Sequence, residues 1–446
     1  MTPSARISAA TEVLADIEAR RRPAADALKD WGLSHRFAGS GDRAAIAGLV
    51  YDALRRKASA AHLLGAQTPR AAMLGMLRLD RGLDLAALEK LFDGGRFAPD
   101  PLTADERAAL SAAADGGGAI ADAPAHVAGD YPEWLDLPLA RVFGDDRVAE
   151  GRALAHRAPL DLRVNTLAAS KDSDRNALRD KLLAELAHLK PQPTRWSPVG
   201  LRVAIGADAK SPPVHAEPAF IKGQIEVQDE GSQVAALLAA ARPGEQVIDL
   251  CAGGGGKTLA LAASMANKGQ LYATDLDMRR LAPIHARLER AGVRDVQVRT
   301  PRPDVDVLDD LSGRADLVVV DAPCTGTGTW RRNPDAKWRM RPGSLSERLA
   351  QQRTVLDRAA GLVRPGGRIV YVTCSLLADE NTDQIQAFLA RHPGFALVPA
   401  QETVAVLGDK APAFLDSVLT VPEGLLMTPR RTGTDGFFVS MLRREG

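Results

Sequence analysis

The sequence predicts an α/β protein in which a doubly wound parallel sheet follows a small α+β module and an N-terminal helical bundle. From about residue 236 onward, apolar strand-like runs alternate with helical segments, which is typical of a parallel sheet covered by helices on both faces. Residues 159–230 contain short strand-like runs around one helical segment. Residues 5–110 repeat apolar side chains every three or four positions, the spacing of helices that pack together.

The Gly- and Ala-rich stretch 113–130 interrupts the helical periodicity and is predicted to be an interdomain linker. We therefore expect three domains, at residues 1–128, 129–235 and 236–446. The predicted helices are 7–17, 43–64, 69–79, 177–189, 257–266, 279–292 and 345–363, and the predicted strands are 160–167, 200–205, 225–229, 246–250, 270–276, 296–299, 315–323 and 368–375.

Composition is that of an ordinary globular protein. The 446 residues are 45% hydrophobic and 25% charged, and no run approaches the roughly 20 apolar residues that span a bilayer. We expect a cytoplasmic monomer that does not bind membranes. Cys251, Cys324 and Cys374 are too few and too scattered for a disulfide framework, and no Cys/His spacing matches a zinc site. We therefore expect free thiols and no metal.

Residues 247–258, VIDLCAGGGGKT, have the pattern of a buried strand, a glycine loop and a helix start. A nucleotide phosphate loop would need glycine at Cys251, and a dinucleotide fingerprint would need another glycine near Thr258. S-adenosylmethionine fits better, because Asp275 follows the next strand and a carboxylate can accept from both ribose hydroxyls. A plain glycine turn beside a solvated acid is the alternative. The predicted cofactor-binding residues are Cys251, Ala252, Gly253, Gly254, Gly255, Gly256, Lys257, Asp275 and Asp321.

Two cysteines follow predicted strands: Cys324, three residues after Asp321, and Cys374. In an open parallel sheet, the loops at the carboxyl ends of the strands share one ligand crevice with the glycine loop. A single buried cysteine usually behaves as a small hydrophobic side chain. Two cysteines at strand ends instead indicate a reactive site.

A thiol beside a methyl donor suits methylation of carbon 5 of cytosine. A thiolate that adds to carbon 6 turns the ring into an enamine, and carbon 5 can then attack a sulfonium methyl group. Asp321 would stabilise the charge that develops at ring nitrogen 3 and the exocyclic amine. The thiol needs a nearby cation or helix amide in order to ionise, and Lys257, Lys337 and the arginines after Cys324 all remain candidates for the cation.

The motifs DLCAGGGGKT, DAPCTGTG, RRNPDAKW, TCSLLADEN and DGFFVSML together resemble the Sun family of RNA cytosine-5 methyltransferases, over roughly residues 160–446. LRVNTL and VQDEGSQ are similar to that family's auxiliary RNA-binding module. Residues 1–128 are more weakly similar to the NusB-like helical RNA-binding domain of the bacterial member that modifies small-subunit ribosomal RNA. The resemblance implies a Rossmann-like, S-adenosylmethionine-dependent methyltransferase domain at 236–446, with RNA as the partner.

The resemblance also implies different roles for the two thiols. In this family the Thr-Cys cysteine, here Cys374, is the nucleophile, and the Pro-Cys cysteine, here Cys324, assists release of the product. The Pro-Cys motif alone does not decide this, because DNA cytosine methyltransferases use that thiol as nucleophile. Two positions depart from the family pattern: Gly254 replaces a usual proline, and Arg302 stands where an acid near the adenine is expected, with Asp304 as its possible substitute.

Residues 329–341, TWRRNPDAKWRMR, interleave basic side chains with two tryptophans. Lys and Arg contact phosphates and Trp stacks on unpaired bases, so we expect this segment to form an RNA-binding rim beside the crevice. The alternative is a solvated loop with packed tryptophans. The predicted RNA-binding residues are Arg331, Arg332 and Lys337.

The sequence therefore predicts an enzyme that methylates carbon 5 of a cytosine in structured RNA, and we expect small-subunit ribosomal RNA as its substrate. A transfer RNA target and a non-catalytic RNA-binding ribosome assembly factor are the alternatives that stay open. A nucleotide hydrolase is disfavoured by Cys251 at the first phosphate-loop glycine position.

Overall fold

The computed structural model describes residues 1–113, 120, 122–168, 175–206 and 212–446. In chain order, the helices are α1 Pro3–Arg20, α2 Ala24–Ser34, α3 Ser40–Arg55, α4 Lys57–Leu64, α5 Pro69–Leu79, α6 Leu85–Leu91, α7 Ala104–Ala112, α8 Ala125–Ala128, α9 Asp136–Phe143, α10 Arg147–Leu154, α11 Arg175–Glu185, α12 Pro218–Ile221, α13 Glu230–Leu238, α14 Gly256–Ser264, α15 Met278–Leu281, α16 Ile284–Ala291, α17 Pro334–Arg339, α18 Pro342–Leu362, α19 Thr382–Arg391, α20 Ala400–Val404, α21 Ala411–Ser417 and α22 Pro429–Thr432. The strands are β1 Leu160–Val164, β2 Gln192–Pro193, β3 Gly200–Val203, β4 Ile225–Val227, β5 Gln246–Asp249, β6 Gln270–Ala273, β7 Val296–Val298, β8 Ala315–Asp321, β9 Val363–Thr373, β10 Phe395–Leu397, β11 Leu419–Val421, β12 Gly424–Met427 and β13 Phe437–Arg444. Within these ranges, none of the helices is both long and apolar enough to cross a lipid bilayer.

The chain divides into two compact units, and the first is helical. It comprises Met1–Ala158, Ile205–Lys210 and Thr329–Arg341. Helix α5 shows how the sequence builds it: Thr68 caps the helix by accepting from the backbone N–H of Ala71, and the buried helical face runs through residues 71–77. At Gly75 a Cβ would lie 2.3 Å from Ala60 Cβ, so this glycine lets α4 and α5 approach closely.

The helical unit extends past the predicted domain boundary at residue 128 to Ala158. The predicted linker at 113–130 falls partly outside the described residues, at 114–119 and 121. Residues 125–130 of this stretch are ordered parts of the helical unit and do not form a linker. Residues 125–128 form α8, and the buried Asp130 carboxylate accepts a hydrogen bond from the Ser59 backbone at 2.9 Å. The predicted helix 43–64 is divided at Arg56 into α3 and α4.

The second unit comprises Pro159–Ala204, Ser211–Gly328 and Pro342–Gly446, and it contains two sheets. The smaller sheet has the order β2-β3-β1-β4 with antiparallel pairs, and its buried face is formed by residues such as Leu162, Leu201 and Ile225. Buried leucines of α11 belong to the same core. The predicted α+β module at 159–230 is confirmed as a fold element of this unit.

The larger sheet positions the site. Its order is β11-β12-β13-β9-β8-β5-β6-β7, with β10 paired to β13. The strands from β9 to β7 are parallel, and β5 lies between β6 and β8. Because parallel strands end at the same edge, Asp249, Ala273, Asp321 and Thr373 lie at one edge of the sheet. Valines and leucines on these strands form the core of the sheet.

Two further features, one helix and the large sheet, differ from the sequence prediction. The predicted helix 279–292 is interrupted at Pro283, which separates α15 from α16, because proline cannot donate the hydrogen bond that would continue the first helix. The sheet is also mixed rather than wholly parallel, because β13 runs antiparallel to β9. The apolar run FFVSML at 437–442 is the sequence feature that indicates this last strand.

Candidate active site

The glycine loop connects β5 to α14 and has a conformation that requires glycine. Gly253 has φ of 49° and Gly255 has φ of 84°, both in the left-handed region. A Cβ at Gly255 would lie 2.6 Å from Ile284 Cγ1. The loop therefore passes close to α16 and leaves its backbone free to approach a ligand.

Asp275 fixes this loop from the end of the neighbouring strand. Its Oδ2 accepts a hydrogen bond from the Gly253 backbone at 2.9 Å, and its Oδ1 accepts from the Asp277 backbone at 2.9 Å. The Arg280 guanidinium lies 3.5 Å from Oδ2. The carboxylate predicted to bind the ribose therefore lies beside the glycine loop, and the ribose contact itself stays a prediction.

Lys257 and Asp321 form an ion pair across the carboxyl edge of the sheet. The distance from Lys257 Nζ to Asp321 Oδ2 is 2.8 Å, and Nζ also lies 5.0 Å from the centre of the Phe437 ring. Lys257 is buried, whereas the Asp321 side chain is 34% exposed. Asp321 is thus held in place by a buried cation and remains reachable from solvent.

Asp249 is a fully buried carboxylate below the loop. Thr258 Oγ1 donates to its Oδ2 at 2.7 Å, and its Oδ1 has no hydrogen-bond partner among the described residues. Burial raises the pKa of Asp249 to about 7. A buried carboxylate oxygen without a partner, next to a glycine loop, suits a site in which a polar ligand completes the hydrogen bonding.

The two predicted cysteines meet. The Sγ atoms of Cys324 and Cys374 lie 3.3 Å apart, within hydrogen-bond distance for thiols. The hydrogen bond to Cys374, together with burial, raises the pKa of the Cys324 thiol well above its usual value. Cys251 lies in the loop after β5 and is buried, whereas Cys324 and Cys374 are partly exposed. Burial raises the pKa of the Cys251 thiol as well.

Glu380 organises the Cys324 loop, a role that the sequence reasoning missed. Its carboxylate accepts hydrogen bonds from the Thr325 backbone at 2.8 Å, from the Thr325 hydroxyl and from Gln352 Nε2 at 2.9 Å. Gln352 Nε2 also donates to the Pro323 carbonyl at 2.9 Å. Glu380 itself is fully buried. The motif TCSLLADEN contains it, but nothing local in the sequence marks it as a partner of residues 323–325.

A second set of hydrogen bonds connects the two cysteine loops. Thr327 Oγ1 accepts from the Leu376 backbone at 2.7 Å, and the Gly328 backbone donates to the Cys374 carbonyl at 2.9 Å. Within the Cys374 loop, Asn381 Nδ2 donates to the Ser375 carbonyl at 2.9 Å. These contacts hold the loops together independently of the thiols.

The predicted RNA-binding rim needs correction. Lys337 is only 2% exposed and Arg331 5%, so neither side chain is displayed to solvent as a phosphate contact. Within the helical unit, Lys337 Nζ donates to the carbonyls of Arg55 and Asp130 at 3.0 and 2.5 Å. Arg332 is partly exposed, and its RNA contact stays a prediction.

The packing of this segment explains the correction. Trp338 Nε1 donates to the Leu54 carbonyl at 2.6 Å, and the Arg55 guanidinium donates to the Arg331 carbonyl at 2.8 Å. Residues 329–341 are thus part of the helical unit. Lys337 Nζ is thus engaged by two carbonyls of the helical unit, and the cation that ionises a cysteine thiol stays a prediction.

The turn after β7 contains the position where an acid near the adenine was expected. Arg302 pairs with Val305 in an isolated bridge, and Asp304 between them has φ of 58°. The adenine contact of Asp304 stays a prediction.

The fold and the site define the class of protein. A doubly wound sheet with a glycine loop after one strand and an acid after the next is the arrangement of an S-adenosylmethionine-dependent methyltransferase. Residues 235–443 match the family model described as 16S rRNA methyltransferase RsmB/F, so this part of the chain is similar to that family, and S-adenosylmethionine is its cofactor. The resemblance to the Sun family is thereby confirmed.

Relatives and solved structures agree with this assignment. Ribosomal RNA small subunit methyltransferase B of Sodalis glossinidius is 35% identical over 320 residues, which make up 71% of this chain and 66% of that protein, slightly under two thirds of its length. The crystal structure of PH0851 superposes with a TM-score of 0.68 at 26% identity, over 100% of this chain and 99% of that one. The crystal structure of NSun6 from Pyrococcus horikoshii with SFG has a TM-score of 0.57 at 22% identity, over 71% of this chain and 98% of its own, and shows the same fold. The predicted fold class is confirmed.

Proposed function

We propose that the protein methylates carbon 5 of a cytosine in small-subunit ribosomal RNA, with Cys374 as the covalent nucleophile. The RsmB/F family match and the printed names of the curated relatives support the ribosomal RNA substrate. The observation that carries the chemistry is the 3.3 Å separation of the Cys324 and Cys374 Sγ atoms at the edge of the sheet that also carries the glycine loop.

The residues around the glycine loop fit the cofactor. The left-handed Gly253 and Gly255 shape the loop against which the methionine moiety would lie, Asp275 would accept from the ribose hydroxyls, and Asp249 Oδ1 offers a buried acceptor. When bound, S-adenosylmethionine supplies an electrophilic methyl group on its sulfonium. A target cytosine inside a helix would have to leave its stack, because a thiolate must reach the face of its ring.

Cys374 begins the reaction by adding to carbon 6 of the cytosine. One Sγ–carbon bond forms, and the electrons of the ring double bond move to carbon 5, which becomes nucleophilic. Asp321, which Lys257 holds at the neighbouring strand end, contacts ring nitrogen 3 and the exocyclic amine and stabilises the charge that develops there. Carbon 5 then takes the methyl group.

Cys324 acts in the release of the product. The hydrogen bond to Cys374 is the largest of the influences that keep the Cys324 thiol protonated. Once Cys374 Sγ is bonded to carbon 6, it is a thioether and no longer offers this hydrogen bond. Cys324 then loses its proton to solvent more readily, and its thiolate accepts the proton from carbon 5. The electrons of the broken carbon–hydrogen bond re-form the ring double bond, and Cys374 leaves carbon 6 as a thiolate.

The proposal is tested by trapping. Cys324→Ala protein is incubated with S-adenosylmethionine and total RNA from cells lacking this gene, then denatured and examined for RNA that remains covalently attached. We expect an adduct to accumulate, and sequencing of the trapped RNA identifies the nucleotide. The double variant Cys324→Ala/Cys374→Ala is the matched control and should trap none.

Three other results would change the conclusion. If the wild type methylates cytosine but Cys324→Ala traps no RNA, the division of roles between the thiols is wrong. If the trapped RNA is transfer RNA, the substrate is wrong. If the wild type transfers no methyl group to any RNA, a non-catalytic assembly factor becomes the better description.

A further inference from the structure

The glycine loop receives a hydrogen bond from a side chain outside the motif. Arg287 Nη1, on α16, donates to the Gly254 carbonyl at 2.6 Å. Gly254 occupies the position where the Sun family usually has proline. A Cβ at Gly254 would lie 3.3 Å from the same Nη1 atom, so Arg287 lies directly against the backbone of this residue.

Arg287 is itself held in one orientation. Its Nη2 donates to Glu226 Oε2 at 3.1 Å, while Arg290 pairs with Glu226 Oε1. Glu226 is buried on β4 of the small sheet. The rigid guanidinium fork thus bridges the glycine loop and a fixed carboxylate, with one nitrogen on each.

The small sheet is anchored to the same helix. Asn165 Nδ2 donates to the carbonyls of Gly223 and Ala291 at 2.8 Å each. Gly223 has φ of 67°, and a Cβ there would lie 1.8 Å from the Arg290 carbonyl oxygen. The turn before β4 therefore packs directly on the backbone of α16, which fixes Glu226 relative to Arg287.

From these contacts we propose that Arg287 is a positioning residue for S-adenosylmethionine, and that it restrains the glycine loop in place of the missing proline. The inference rests on the proposed cofactor site. Proline fixes its own φ, whereas glycine leaves the peptide free to rotate in the unbound protein. The Arg287 hydrogen bond removes that freedom before the cofactor binds, and Glu226 extends this control to the small sheet.

The test measures S-adenosylmethionine binding by calorimetry without RNA. For Arg287→Ala we expect a Kd about 10- to 100-fold higher than that of the wild type, the range for loss of one charged hydrogen bond. Gly254→Pro in the same chain should restore the Kd to within about threefold, because the ring supplies the lost restraint. In methyl transfer assays, Arg287→Ala should raise KM for S-adenosylmethionine and leave KM for RNA unchanged.

Arg290→Ala is the matched control, because it also removes a cation from Glu226 but does not touch the loop. Its Kd should stay within about threefold of the wild type. An unchanged Kd in Arg287→Ala, or a double variant that binds as weakly as Arg287→Ala, overturns the inference. A wild type that does not bind S-adenosylmethionine would instead overturn the proposed function, and the inference with it.

Discussion

The Sγ atoms of Cys324 and Cys374, which are 50 residues apart in the chain, lie 3.3 Å from each other at the ends of adjacent strands. Neither loop places its thiol alone. The Cys324 loop depends on Glu380, and the Cys374 loop is joined to the Thr327 hydroxyl and to the Gly328 backbone by hydrogen bonds. Changes at these supporting residues should therefore affect the reaction without removing a thiol.

Glu380→Ala should lower kcat for methyl transfer by about 100-fold, because a displacement of about 1 Å in the Cys324 loop is enough for such an effect. KM for S-adenosylmethionine should hardly change, since Glu380 does not contact the glycine loop in the described contacts. Steady-state kinetics distinguish the two parameters. Asp379→Asn, which removes a charge at the preceding residue, is the control. Equal losses in both variants would contradict the role assigned to Glu380.

Lys257→Met should also impair methyl transfer, by about 10- to 100-fold, because Asp321 would lose the buried cation that holds it. Lys268→Met removes an exposed lysine after α14 and should have no effect. Both are compared in a single-turnover assay with saturating S-adenosylmethionine. Full activity of Lys257→Met would show that Asp321 does not need this partner.

Gly328→Ala should destabilise the protein by about 1–3 kcal/mol, since the added Cβ would lie 2.3 Å from the Gly436 carbonyl oxygen. The backbone around residue 328 and the backbone before β13 would then have to move apart. Gly361→Ala is the control, because a Cβ there meets nothing within 4 Å and alanine favours the helix. Thermal unfolding measures the stability of both variants relative to the wild type. A Gly328→Ala protein as stable as the wild type would show that the backbones of Gly328 and Gly436 are not closely packed.

Lys337 gives a prediction for pH dependence. Burial lowers the pKa of Lys337 from 10.5 to about 7 in the folded protein, so between pH 7 and 10.5 the unfolded chain binds more protons than the folded one. Stability contributed by this residue should therefore rise with pH across that window, at no more than about 1.4 kcal/mol per pH unit. The melting temperature of the wild type relative to Lys337→Met should increase from pH 7 to pH 10. Parallel curves for the two proteins would contradict the lowered pKa.

The sequence predicted the parts of the site that depend on local patterns. The glycine loop, Asp275 and both cysteines follow apolar strands, and the edge of a parallel sheet brings such positions together. Glu380 could not be found in this way, because its partners at 323–325 become neighbours only in the folded chain. Lys337 was misassigned for the same reason, because a basic, Trp-containing run suggests an exposed surface. The partners of its buried Nζ are the carbonyls of Arg55 and Asp130, which are distant in the sequence.

The helical unit takes its last helix, α17, from residues 329–341, although the main segment of the unit ends at Ala158. A gene fragment that stops at residue 158 would encode Leu54, Arg55 and Asp130 without the segment that satisfies their carbonyls. The front of the chain thus depends on residues 329–341 for these hydrogen bonds, and a synthetic peptide of that segment should bind and stabilise the isolated fragment.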